Sequence, residues 1–136
     1  MNRIFVDSSA LIALAKTNDD RHADARDFLA GLTGSFQFLT TDYILDETVT
    51  RLRDSLGAEK AAYFVEKILE SRIYKIAFID KRLFLASLKW LKKYADKPLS
   101  FTDCSSFALM EKLSLNKAFT FDDDFRKVGF EMVPHV

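Results

Sequence analysis

Two short apolar runs in this chain end in aspartate. "RIFV" (3–6) runs into Asp7, and "KAFTF" (117–121) runs into Asp122, the first of three consecutive aspartates with Asp123 and Asp124. Asp103, in "SFTDCSS", falls on a helix pattern among Ser106, Phe107 and Met110, a largely apolar face. A carboxylate on such a face needs a partner, a proton or a cation. If several of these acids converge, two of them about 4 Å apart repel by roughly 4 kcal/mol at an effective dielectric of 20. Hard divalent cations remove that cost. An oxygen-only ligand set with no Cys or His cluster favours Mg²⁺ or Mn²⁺ over Zn²⁺, and such a pocket suits phosphoryl chemistry.

Each acid also has a plainer reading. Asp7 and Asp122 are candidate helix caps or turn formers. Ser100 and Asp103 have the spacing of a capping box with Asp in place of Glu. Glu47, in "LDETV", is the acid that periodicity disfavours. The stripe Leu45, Val49, Leu52 and Leu56 puts Glu47 nearly opposite, on the solvated side of its helix.

The elements that would position these acids alternate along the chain. Strands are expected at 3–6, 36–41, 73–79, 117–121 and over "FEMVP" (130–134). Helices are expected over 9–16, about 20–31, 43–56, 58–72, 80–95 and 100–113, with Gly31, Gly34 and Gly57 as stops. Strands separated by helices imply an α/β fold, a mostly parallel sheet with helices on both faces. Ligands of such sheets lie beyond the carboxyl ends of the strands, where Asp7 and Asp122 emerge.

Composition bounds the rest. The 136 residues fit a single domain (1–136), and 49% hydrophobic content with only 4 Gly and 2 Pro describes a folded globular chain. Twenty acidic residues balance twenty basic ones, so no global basic field marks a simple nucleic-acid-binding module. One cysteine, Cys104, cannot form an internal disulfide, which fits a reducing cytoplasm. "MNRIFVDSSALIALA" looks superficially like a secretion signal, but Asp7, Ser8 and Ser9 interrupt its apolar run. No stretch has the length of a membrane span.

"IFVDSSALIAL", "TTDYILDETVTRL", "LSFTDCSSFALMEKL" and "AFTFDDDFRKVGFEMVP" occur in the order and spacing of PIN-domain ribonucleases. The chain most resembles the VapC-type toxins of toxin–antitoxin pairs. The resemblance spans essentially the whole chain and implies a three-layer α/β/α sandwich with an acidic pocket for Mg²⁺ or Mn²⁺. It carries over Asp7, Glu47, Asp103 and Asp122 as catalytic and metal-binding acids, Asp124 as a further metal-site acid, and Ser8 and Thr102 as supporting hydroxyls. Asp46 stands where the family more often has a small residue, and Glu47 is the acid carried over. The implied reaction is metal-dependent hydrolysis of RNA phosphodiesters, with a small antitoxin as partner and a homodimer as assembly.

Other features read more simply. Lys89, Lys92 and Lys93 beside Trp90 and Tyr94 form either a phosphate-and-stacking surface or the solvated face of a helix. Arg51 either meets substrate or pairs with Glu47 four residues earlier. His22 and His135 lack a paired Ser or Cys, against triad hydrolysis. Competing functions are a silent PIN-like module that binds RNA or a partner, a standalone RNA-processing or DNA nuclease, and a phosphoryl-accepting signalling domain. The last lacks adjacent acids after the first strand and a lysine after a late one.

Overall fold

The computed structural model describes residues 1–136. Its elements run β1 (Asn2–Val6), α1 (Ser8–Ala15), α2 (His22–Gly31), β2 (Phe36–Thr41), α3 (Asp42–Leu56) and α4 (Ala58–Glu70). They continue with β3 (Tyr74–Ala77), α5 (Lys81–Lys93), α6 (Phe101–Lys112), β4 (Lys117–Phe119), α7 (Asp124–Lys127) and β5 (Glu131–Val133). The five strands form one sheet in the order β3-β2-β1-β4-β5, and every pairing is parallel.

From β1 the chain builds one half of the sheet through β2 and β3, then returns to the other side of β1 for β4 and β5. Because parallel crossovers are right-handed, the two directions of travel place their helices on opposite faces. The packing agrees: α1 lies against α2 and α3, α3 against α4, and α5 against α6. The result is the expected three-layer α/β/α sandwich. Its topological switch point is the β1–β4 seam, where a ligand crevice forms at the carboxyl ends of the strands.

The central strand is buried for the reason its sequence indicates. Ile4, Phe5 and Val6 are at most 1% exposed, covered on both faces like other parallel strands. Beyond its first turn α6 is just as enclosed, with Cys104 to Met110 all buried, while Phe101, Thr102 and Asp103 are half-buried. Phenylalanines knit the layers. Phe119 of β4 packs on Phe28 at 4.7 Å and Phe38 at 6.0 Å, while Phe107 meets Phe125 edge-on at 5.0 Å.

Two expectations change at the end of β4. The strand stops at Phe119 rather than Phe121, because the Phe121 amide donates to Ser9 Oγ at 3.0 Å instead of to a neighbouring strand. The expected turn through Phe125 is a one-turn helix, α7, whose Phe125 ring is fully buried between Phe5 and Phe107. Phe125 therefore anchors the acid triplet to the core. Trp90 likewise belongs inside, stacked with Tyr94 and against Phe107, with Lys93 over both indole and phenol rings at 5.4 Å. That leaves the lysines of α5 on a solvated face rather than on a stacking surface.

Truncating Phe125 to alanine removes this anchor and leaves a cavity. Its unfolding free energy by urea titration is expected to fall by about 3–5 kcal/mol. A loss below about 1 kcal/mol, the range of a tolerated surface change, would mean that the ring does not pin α7.

Candidate active site

Asp7 follows β1 directly and occupies the N-cap position of α1, yet its carboxylate makes no cap bond. Its side chain turns into the β1–β4 seam. There Ser9 Oγ donates to Asp7 Oδ2 at 2.9 Å and Thr120 Oγ1 donates to the same oxygen at 2.8 Å. The strand register makes this contact: Val6 pairs with Phe119, so the next residues on each strand, Asp7 and Thr120, stand opposite one another.

The same two hydroxyls hold the loop beyond β4. Ser9 Oγ accepts the Phe121 amide at 3.0 Å, and Thr120 Oγ1 accepts the Asp122 amide at 3.0 Å. Asp122 Oδ1 in turn accepts the Asp124 amide at 2.9 Å. A continuous set of hydrogen bonds thus runs from Asp7 through Thr120 to Asp122 and Asp124. Asp123, between them, is exposed and pairs with Arg126 at 3.1 Å. Asp124 lies 3.7 Å from Lys127.

Asp103 realises both of its readings at once. Its amide donates to Ser100 Oγ at 2.9 Å and its Oδ2 accepts the Ser100 amide at 3.2 Å, a complete capping box. The cap fixes the side chain at the start of α6 while that side chain faces the other acids. One carboxylate oxygen from each of Asp103, Asp122 and Asp124 comes together, all within 4.8 Å.

Glu47 corrects the periodicity argument. The buried residues of α3 are Ile44, Leu45, Thr48 and Leu52, so the inward face is rotated from the expected stripe toward Ile44 and Thr48. Three residues on from Ile44, Glu47 lies about 60° from it around the helix. It is half-buried and accepts a hydrogen bond from Ser8 Oγ, whereas Asp46 is exposed.

Asp7, Ser8, Glu47, Asp103 and Asp122 meet around one cavity of about 170 Å³, lined also by Ser9, Arg51, Pro98 and Ser100, with Pro98 its one apolar side chain. Its neighbour is a groove of about 970 Å³ that shares Ser9, Arg51 and Asp122 with it. Of the expected positions, Asp124 and Thr102 line neither: Asp124 joins the site through its closeness to Asp103 and Asp122, and Thr102 contributes its carbonyl, which accepts from Ser105 and Ser106. Sequence reasoning missed Ser9, Thr120 and Ser100 as site hydroxyls. The signal was present in "DSS" and "TFD", a hydroxyl residue one or two places from a motif acid.

Burial dominates the electrostatics. It pushes the Asp103 carboxyl up to about 6, a rise opposed by its bonds to Ser100 and reinforced by the charges of Asp122 and Asp7. Asp7, only 4% exposed, is raised by desolvation against the lowering effect of the Thr120 and Ser9 hydroxyls. Asp122 is raised by desolvation and by the neighbouring charges of Asp124 and Asp123. Three carboxyls shifted the same way mark a site that holds protons or cations. Converging oxygen donors with no sulfur or nitrogen ligand fit a hard divalent ion.

Comparison with known proteins places this arrangement. Residues 4–131 match the PIN domain. The chain belongs to the PIN-domain family. Within it, the chain is 32% identical over 127 residues to the 23S rRNA-specific endonuclease VapC20 of Mycobacterium tuberculosis, covering 93% of this chain and 95% of that one. The crystal structure of M. tuberculosis VapC20, described as a sarcin-ricin loop cleaving toxin, superposes with a TM-score of 0.86 at 31% identity over 93% and 95% of the two chains. VapBC2 of Rickettsia felis (TM-score 0.69, 9% identity) and VapBC-1 of nontypeable Haemophilus influenzae (0.64, 18%), each covering 96% of both chains, share the PIN fold.

The raised carboxyls predict how the metal-free protein responds to pH. A folded pKa near 6 for Asp103 against 3.8 unfolded means the native state holds the extra proton between those values. Stability from this group is full below pH 4 and is lost as pH rises through about 6. In EDTA, the melting temperature should therefore fall from pH 5 to pH 7, and Asp103→Asn should flatten that fall. A wild-type melting temperature that rises over this interval in EDTA would contradict the assignment.

Proposed function

We propose that this protein is a divalent-metal-dependent endoribonuclease, the toxin of a toxin–antitoxin pair. The observation that carries the reading is the convergence of Asp103, Asp122 and Asp124 at the sheet's switch point, beside Asp7 and Glu47. It occurs in a chain that matches a ribosomal-RNA endonuclease over nearly its whole length. The competing view of a silent module would call for lost acids, and here the acid positions are filled.

In this reading Asp103, Asp122 and Asp124, with Asp7 on the wall of the same cavity, would hold Mg²⁺ or Mn²⁺. A bound divalent ion supplies Lewis acidity toward a phosphoryl oxygen and neutralises charge on the departing one. The chain's own residues do the rest. Asp7 is fixed by Ser9 and Thr120, so the acids keep their spacing as charge changes hands. Glu47, oriented by Ser8 on the opposite wall, receives the proton of the water that attacks phosphorus. The P–O ester bond breaks as the new P–O bond forms, and the leaving oxygen takes a proton from solvent.

Ribosomal RNA is the first substrate to test, since it is the one that the VapC20 relative's name specifies. A small antitoxin protein and a second copy of this chain are the proposed partners. The proposed compartment is the cytoplasm, where the buried Cys104 stays reduced and RNA is at hand. No helix is long and apolar enough to cross a membrane.

Purified wild type with Mn²⁺ should cut ribosomal RNA at discrete positions, and Asp103→Asn should lower the rate at least about 100-fold. Mn²⁺ should also raise the melting point of the wild type more than that of Asp103→Asn. Cutting that survives EDTA, or that Asp103→Asn retains in full, would overturn the proposal.

A further inference from the structure

The carboxylate cavity has an electrostatic difficulty: it must admit a polyanion. Its walls carry four acids, Asp7, Glu47, Asp103 and Asp122, and one fixed cation, Arg51. Arg51 projects from α3 one turn beyond Glu47 and lines both the acid cavity and the 970 Å³ groove.

Three arginines line that groove, and two are already committed. Arg21 pairs with Asp24 at 3.2 Å and lies over the Phe121 ring at 5.5 Å, while Arg126 pairs with Asp123 at 3.1 Å. Arg51 forms no ion pair within 4.0 Å. Glu before Arg at i,i+4 is an orientation that helices favour, so the missing bond needs a cause. Ser8 Oγ of α1 offers one: it donates to the Glu47 carboxylate, which Arg51 does not reach. Arg51 is left an exposed guanidinium between two cavities, with a planar fork suited to phosphate oxygens.

We infer that Arg51 binds a backbone phosphate next to the one being cut, and so directs the substrate strand from the acid cavity into the groove lined by Phe121, Arg21 and Arg126. The ligand this geometry takes is an unpaired RNA strand. A small polar cavity opening sideways into a groove admits one backbone, and Arg51 at the junction touches the phosphate adjoining the scissile one. Arg51 acts as a positioning residue, outside the bond-breaking itself. This inference rests on the endoribonuclease reading.

The test separates the two. Wild-type cleavage with Mn²⁺ reads the enzyme. Binding of a fluorescein-labelled unpaired RNA oligonucleotide to Asp103→Asn, by anisotropy over a series of salt concentrations, reads Arg51. Adding Arg51→Ala should weaken binding roughly tenfold and lower the log–log salt slope by about 0.7, the value of one phosphate contact on a single strand. Arg51→Lys should keep the slope and lose less affinity, because the charge stays and the fork is gone. Arg53→Ala, an exposed arginine two residues on that lines neither cavity, should change both by less than the Arg51→Ala variant. Melting points with and without Mn²⁺ should match between Asp103→Asn and its Arg51→Ala derivative, separating a lost phosphate contact from damage to the acid site. An unchanged slope in Arg51→Ala, an equal effect from Arg53→Ala, or no RNA binding by the Asp103→Asn parent would overturn the inference.

Discussion

The crowding of carboxylates at the carboxyl edge of the β1–β4 seam is the constraint around which the rest of this molecule is arranged. Parallel pairing aims successive strand ends in one direction, so acids that follow two neighbouring strands must meet. Left alone, they would spread apart to relieve repulsion and regain water. Three devices prevent it. The Ser9 and Thr120 hydroxyls tie Asp7 to the loop beyond β4, the buried Phe125 ring holds α7 against the core, and the Ser100 capping box fixes Asp103 at the start of α6. Each restrains an acid without supplying a positive charge, so burial, the largest effect, leaves all three carboxyls raised even against the hydroxyl and amide bonds.

That choice has a functional logic. Asp124 has a lysine beside it, Lys127 at 3.7 Å, but a lysine at Asp7, Asp103 or Asp122 would compete with a divalent ion for them. Neutral hydroxyls and backbone amides orient carboxylates while leaving them electron-rich. The cavity's lone cation stands at its rim, where it faces both cavity and groove. A cation at the rim with acids inside suits the proposed binding of a divalent ion and an anionic polymer.

The structural relatives show how little sequence this architecture needs. A chain 9% identical still superposes with a TM-score of 0.69, because buried β-branched and aromatic strands between helical crossovers set the sandwich without specific identities. At 32% identity over nearly full length, the match to VapC20 is of a different kind. Fold-level likeness says where a site forms, and the residues standing there say what it does.

Local patterns alone made the alternation of strands and helices legible, along with Asp7 at the end of β1 and the Ser100–Asp103 cap. Those features depend on neighbours in the chain. Even there, two endpoints moved. The β4 strand ended two residues early, where the Phe121 amide turns to Ser9 Oγ of α1, and the turn after the acid triplet became α7 through long-range burial of Phe125. Glu47 is the clearest division. The helical stripe of its own segment turned it to solvent, and resemblance to the PIN family was needed to favour it. What decided its orientation was Ser8, 39 residues away, together with a buried face of α3 rotated toward Ile44 and Thr48. The sequence by itself determined which acids exist and which elements present them. Tertiary structure alone decided which of them share a cavity and that Arg51 has no partner, because both depend on distances between elements that no local periodicity encodes.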